Sequence, residues 1–184
     1  MASLDFYSIE NEEHRLRSVV NWIVDIVVAI VLAVLLVTWF GDRATVNGHS
    51  MEPVLKAEDV VLIDEFSYQI SEPERLDIVL YQLGEKTSIK RIVGLPGETI
   101  QIKNGYLYID GVVKQLPSSL AEVVLAGLAE EEITLGSDEY FLLGDNRESS
   151  EDSRFEKVGN VAREQILGKI WFRVSPFVEM GPIG

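Results

Sequence analysis

Asn104-Gly105-Tyr106-Leu107-Tyr108-Ile109-Asp110-Gly111 reads as one short strand held between two tight hairpin turns. Asn-Gly and Asp-Gly pairs tolerate positive φ at both central positions, which two-residue hairpin loops require. The four residues between them are aromatic or aliphatic and suit a pleated, half-buried surface. Working outward, Val60-Val61-Leu62-Ile63, Asp77-Ile78-Val79-Leu80-Tyr81 and Ile89-Lys90-Arg91-Ile92-Val93 precede this meander. Tyr140-Phe141-Leu142-Leu143 and the run from Ile166 to Val174 follow it. Each is rich in β-branched or aromatic residues and bounded by turn formers, so each is expected to be a strand. Leu120 to Glu132 is expected to hold one short helix with Glu130-Glu131-Glu132 as a solvated face, and Pro176 and Pro182 are expected to end the ordered chain. Many strands and almost no helix predict a mainly β domain, closed or folded over to manage its edges.

Residues 19–40 follow another rule. They are mainly Val, Ile, Leu, Ala and aromatic, and as a helix they reach roughly 33 Å, enough for a bilayer core. Trp22 near one end and Trp39-Phe40 at the other suit the two interfaces. A cleaved leader fits poorly, because the run is long and no small-x-small site follows Phe40; a retained anchor is expected. Arg15 and Arg17 precede the run closely and Arg43 stands alone after it, which places the amino terminus inside and Gly41 onward outside. Asp25 is expected near the inner interface, where its carboxylate reaches water. The chain thus divides into a cytoplasmic segment 1–18, amphipathic or disordered, a transmembrane anchor 19–40, and an extracytoplasmic domain 41–184.

The 184 residues contain no cysteine, so disulfides, a thiol nucleophile and cysteine-ligated zinc are excluded. A net charge of −14 argues against a nucleic-acid partner, since phosphate recognition needs clustered Lys and Arg.

The chemistry concentrates in three places. Gly48-His49-Ser50-Met51-Glu52-Pro53 follows shortly after the apolar run. A serine hydroxyl needs a base, and the two histidines serve badly. His14 lies on the cytoplasmic side, and His49 is adjacent to Ser50, where neighbouring side chains in extended backbone point apart. Lys90, in the run Lys90-Arg91-Ile92-Val93-Gly94-Leu95-Pro96-Gly97, is the alternative. Apolar neighbours Ile89, Ile92 and Val93 would desolvate its ammonium and favour the neutral, basic form. A plain edge-strand lysine is the competing reading of Lys90 taken alone. The third place is Gly144-Asp145-Asn146-Arg147, running through Ser150 to Asp152-Ser153-Arg154.

In this order behind an anchor, the three stretches resemble those of type I signal peptidases, most like the short bacterial forms, from the anchor to at least Arg154. The resemblance implies an antiparallel β domain of coiled sheets, barrel-like in kind. It implies a membrane-bound serine endopeptidase, working without metal or cofactor, that cleaves signal peptides from exported preproteins after small-x-small motifs. Ser50 would be the nucleophile and Lys90 the general base. Ser150 would hydrogen-bond the lysine, and Asp145, Asp152 and Arg154 would be structural charges, with Arg91 pairing one of the aspartates. Met51 would border the substrate, and the Ser50 backbone N–H would serve the oxyanion. Gly48 stands where some members carry a serine that helps hold the oxyanion, Val54 where threonine is common, and Glu98 where aspartate is common. The expected surroundings are the bilayer and the export machinery; Met51, Val54 and Leu55 are candidates for a membrane-contacting edge and equally for the core. A self-cleaving serine–lysine repressor is disfavoured by residues 19–40. A silent homologue that binds signal peptides without cutting would be marked by loss of Ser50 or Lys90, and both are present.

Overall fold

The computed structural model describes residues 3–40, 42–114, 123 and 125–183, with side chains in the first helix described from 17 to 35. Two compact units emerge, Met1–Gly41 and Asp42–Gly184. The first is α1, Ser3–Phe40. Within it Arg17–Leu35 is long and apolar enough to cross a membrane, with mean hydropathy 2.5 and nothing buried inside the protein. Residues left open as amphipathic or disordered are helical from Ser3.

The second unit is mainly antiparallel β, with one short helix, Ser67–Ile70, and a few 3-10 turns. Its strands are β1 (Asp42–Thr45), β2 (Val60–Asp64), β3 (Ile78–Leu83), β4 (Lys86–Gly94), β5 (Thr99–Lys103) and β6 (Tyr106–Ile109). There follow β7 (Val112–Lys114), β8 (Ile133–Thr134), β9 (Glu139–Leu143), β10 (Val161–Ala162), β11 (Ile166–Ser175) and β12 (Gly181–Pro182). One sheet runs β1-β2-β11-β3-β4-β9-β10 with β12 paired to β11, and the other runs β7-β6-β5-β8. The meander forms as expected: Asn104, Gly105, Asp110 and Gly111 all have positive φ, between 51° and 82°, and join β5 to β6 and β6 to β7.

Alternation along β9 shows how the sheets share cores. Tyr140 and Leu142 enter one apolar cluster with Val79, Tyr81 and Ile92. Phe141 and Leu143 enter another with Ile100, Ile102, Leu107 and Ile109 of the second sheet. A strand buried on both faces reads as a continuous apolar run, as Tyr140–Leu143 does. A third cluster gathers Met51, Leu55, Val61, Ile63, Ile89 and Ile170.

Two expectations are corrected. The only helical piece described within 120–132 is a 3-10 turn, Gly127–Glu130; residues 120–122 and 124 lie outside the described residues. The chain does not end its order at Pro176. It makes a 3-10 turn at Phe177–Glu179 and returns as β12, pairing Phe172 with Pro182 and Arg173 with Gly181.

Candidate active site

Ser50 sits in a loop between β1 and β2, closed at its base by Val46 N–H donating to Asp59 O (2.8 Å) and Glu58 N–H to Val46 O (3.0 Å). After Ser50 a turn forms, with Leu55 N–H donating to Met51 O at 2.8 Å. Its apolar face is fixed in the third core, where Met51 is 1% and Leu55 0% exposed. These two are therefore core residues and no membrane edge. Burying two such side chains stabilises the loop by several kcal/mol, so Ser50 rides on a well-packed base.

Lys90 lies mid-strand on β4, paired with Val79 of β3. Its Nζ is 2.8 Å from Ser50 Oγ, and the residue is 4% exposed. Burial is the largest influence on its pKa and lowers it below lysine's ordinary 10.5; the carboxylates of Asp152, Glu151 and Asp145 act in the opposite sense. His49 is turned outward, with Nδ1 2.7 Å from Glu52 Oε1, as adjacency to Ser50 suggests.

Arg91 leaves β4 on the face opposite Lys90. It pairs with Leu143 of β9, so Asp145, two residues further, falls beside it. Arg91 Nε and Nη2 donate to the two Asp145 carboxylate oxygens at 2.8 Å each, and Nη1 donates to Leu76 O at 2.8 Å. Asp152 accepts from Arg154 Nε (2.8 Å) and Nη2 (2.9 Å), and from the Gly144 N–H at 3.0 Å. Asn146 N–H donates to Ser50 O at 3.0 Å, so this third segment is stitched to the carbonyl of Ser50 itself. Gly144 permits the approach, because a Cβ there would lie 2.5 Å from Ser150 Cβ and 2.6 Å from Ser50 O.

Ser150 differs from expectation. Its Oγ is buried and makes no hydrogen bond among the described residues; the bond to Lys90 implied by the resemblance is not formed, and the hydroxyl packs over Gly144 instead. Arg147 was not singled out from the sequence. It is 3% exposed, its guanidinium nitrogens have no hydrogen-bond partner among the described residues, and burial pulls its pKa down to about 10 against the opposing charges of Asp145 and Asp152.

Beside the dyad a cavity of about 90 Å³ is lined by Ala44, Val46, Asn47, Met51, Leu80 and Ser88, together with Ser50 and Lys90 themselves. Met51, expected to border the substrate, is among the lining residues, while Ala44, Asn47, Leu80 and Ser88 went unnoticed. Ser88 was findable: it lies two residues before Lys90 and so shares its face of β4.

The family model described as "Signal peptidase, peptidase S26" matches residues 19–175. The chain belongs to the signal peptidase family. It is 35% identical to "Signal peptidase I" of Bacillus amyloliquefaciens, over 93% of this chain and 96% of the relative. To "Signal peptidase I S" of Bacillus subtilis it is 34% identical, over 89% and 93% of the two chains. A crystal structure of a signal peptidase I from Enterococcus faecalis V583 covers 54% of this chain and 97% of its own, at 30% identity and a TM-score of 0.47.

For such a peptidase the buried lysine predicts a pH profile. With Lys90 as the expected base, loss of its proton should switch activity on, so kcat/KM is expected to rise with pH, with a midpoint below 10.5. Glu151 is exposed, and its carboxylate raises the Lys90 pKa; Glu151→Gln should therefore move the rise to lower pH. The profile of kcat/KM reports the free enzyme, and a rate flat from about pH 6 to 10 contradicts a titrating lysine.

Proposed function

We propose that Ser50 and Lys90 are the nucleophile and general base with which this serine endopeptidase of the signal peptidase family removes signal peptides from exported preproteins. The observation that carries the reading is the 2.8 Å approach of Lys90 Nζ to Ser50 Oγ at a lysine 4% exposed. Neutral Lys90 takes the hydroxyl proton as Ser50 Oγ bonds to the scissile carbonyl carbon. The tetrahedral intermediate collapses, the C–N bond breaks, and the lysine's proton goes to the leaving amine. Water, deprotonated by Lys90, then hydrolyses the acyl ester and frees Ser50. The Ser50 N–H is the proposed oxyanion donor, the kind of group that supplies much of acyl-transfer catalysis. Asp145, Arg91, Asp152 and Arg154 hold the third segment in register. A cavity as small as about 90 Å³ with Ala44, Val46, Met51 and Leu80 in its lining favours small side chains next to the cut, in keeping with small-x-small sites. The test is incubation of detergent-solubilised protein with a preprotein, wild type against Ser50→Ala. A silent homologue would leave the preprotein uncut in both.

We further place residues 1–18 inside the cell, 19–40 across its membrane and 41–184 outside, close to the export machinery. Arg15 and Arg17 support that orientation. Tethering raises the effective concentration of enzyme at membrane-held substrate. Residues 41–184 alone are therefore expected to process membrane-embedded preprotein poorly, and to recover when lipid or detergent is supplied. Equal rates for truncated and full-length protein, without lipid dependence, would leave the anchor as an address only.

A further inference from the structure

The family match ends at residue 175, and none of the described residues from 176 to 183 lines the cavity beside Ser50 and Lys90. These residues nonetheless pack against the loop that carries Ser50. The chain turns through Phe177–Glu179 and returns as β12 against β11, with Ile183 N–H donating to Trp171 O at 2.9 Å. Ile183 joins the apolar cluster that holds Met51, Val54 and Leu55 of the Ser50 loop.

Polar contacts fix the same limb of the loop. Arg173, on β11 and paired with Val61 of β2, donates from Nη2 to Val54 O and from Nη1 to Glu179, and its Nε lies 3.3 Å from the Asp59 carboxylate. That carboxylate also accepts the Lys56 N–H at 3.0 Å, and Lys56 Nζ donates to Glu179 Oε1 at 2.7 Å. These contacts differ in weight. The Lys56 and Glu179 side chains are 54% and 39% exposed, and solvent screening leaves such a pair worth little. Those of Arg173 and Asp59 are 11% and 3% exposed, so they and the Val54 carbonyl meet away from water, where losing one partner leaves the others unsatisfied. The loop is thus pinned from two sides: Asn146 N–H holds Ser50 O, and Arg173 holds the carbonyl four residues later.

We propose that Arg173, backed by the return of the chain through β12, is a positioning residue for Ser50: with Asp59 it clamps the later limb of the Ser50 loop to the central sheet and so keeps the hydroxyl in reach of Lys90. The inference rests on the reading of Ser50 as nucleophile. Residues 46–59 belong to no strand or helix, so side-chain contacts rather than a ladder decide where that limb sits. An error of one ångström at a reacting group can cost on the order of a hundredfold in rate, and a limb released at Val54 and Asp59 has room to make it. The clamp works at a distance from the chemistry, through Val54 and the turn that joins Met51 to Leu55.

On a soluble peptide substrate in detergent, full-length Arg173→Gln should lower kcat about tenfold, within what misplacement of a reacting group costs, with KM changed less. The pH midpoint should stay in place, because the charges that act on Lys90 are those of Asp152, Glu151 and Asp145. Adding Asp59→Asn to Arg173→Gln should cost less than the product of the two single losses, since both act through one contact. Ile183→Ala, which keeps Arg173, should lower kcat by a smaller factor, and Lys56→Gln should leave it near wild type. Millimolar guanidinium chloride should restore part of the kcat of Arg173→Ala and none of that of Lys90→Ala. Hydrogen exchange reads the clamp without activity: in Arg173→Gln the Leu55 N–H, bonded to Met51 O, should exchange faster, while the Ile92 N–H, bonded to Asp77 O at 2.9 Å, keeps its protection. Wild-type kcat in Arg173→Gln, a shifted pH midpoint, no rescue by guanidinium, or equal loss of protection at Leu55 and Ile92 overturns the proposal. Full turnover by Ser50→Ala would instead overturn the reading on which it rests.

Discussion

Ser50→Ala and Lys90→Ala are each expected to lower preprotein turnover by on the order of 10⁴- to 10⁶-fold, with the double variant scarcely worse. The reason is the geometry of a unit: Oγ and Nζ are 2.8 Å apart, and on the proposed mechanism the serine cannot attack unless the lysine takes its proton. Lys90→Arg should be equally inactive, because a guanidinium stays protonated and cannot accept the hydroxyl's proton. Single-turnover assays on purified protein check this, and near-normal turnover by Lys90→Ala would sink the lysine-base mechanism. Lys90→Met provides the structural control with the opposite sign. Burial lowers the folded-state pKa of Lys90 below its ordinary value, so between the two values the unfolded chain binds more protons and stability rises with pH. The cost of the buried ammonium is full below the folded pKa and gone above the ordinary one. Lys90→Met should therefore be inactive yet melt higher than wild type at neutral pH, with the gap closing as pH rises from the lowered folded-state pKa toward 10.5.

Much of this was legible in residues. Each expected strand exists, because short β-branched and aromatic runs between turn formers leave few alternatives, and the meander's two turns have the positive φ that Asn-Gly and Asp-Gly allow. Pairing of Arg91 with one of the aspartates was expected; only the structure's register, Arg91 against Leu143, selects Asp145. What stayed hidden depends on contacts far apart in sequence. The two-residue strands β8, β10 and β12 carry no periodicity and exist only because a neighbour offers an edge. Ser150 has a hydroxyl near the site, yet whether it meets Lys90 or Gly144 is decided by side-chain packing that spacing does not encode. Met51 and Leu55, apolar and near the anchor, suit a lipid edge or a core equally well by composition. Their exposures of 1% and 0% decide for the core.

Asp152→Asn is expected to have the largest effect on stability and a distinct effect on the pH profile. Asp152 is 0% and Arg154 1% exposed, and the carboxylate accepts from the guanidinium fork at 2.8 and 2.9 Å and from Gly144 N–H at 3.0 Å. An amide of the same shape keeps one acceptor but turns an NH2 toward donors, and leaves the Arg154 charge buried without a counter-ion. Breaking such a pair from one side costs about 3–5 kcal/mol, which in a domain of this size lowers Tm by roughly 10 °C. Replacing both partners by Leu should cost less than Asp152→Asn alone, since no bare charge remains. The loss also reaches the dyad by two routes. Gly144 loses its acceptor, which loosens the segment whose Asn146 N–H holds Ser50 O, so kcat should fall. Asp152 is also the foremost of the carboxylates that raise the Lys90 pKa; without it burial acts less opposed, and the rise of kcat/KM should move to lower pH. A merely structural aspartate would lower Tm and kcat while leaving that midpoint where it was. Titrating the variant below its melting temperature separates the two cases, and a midpoint that stays put or moves upward means that the Asp152 charge does not act on Lys90.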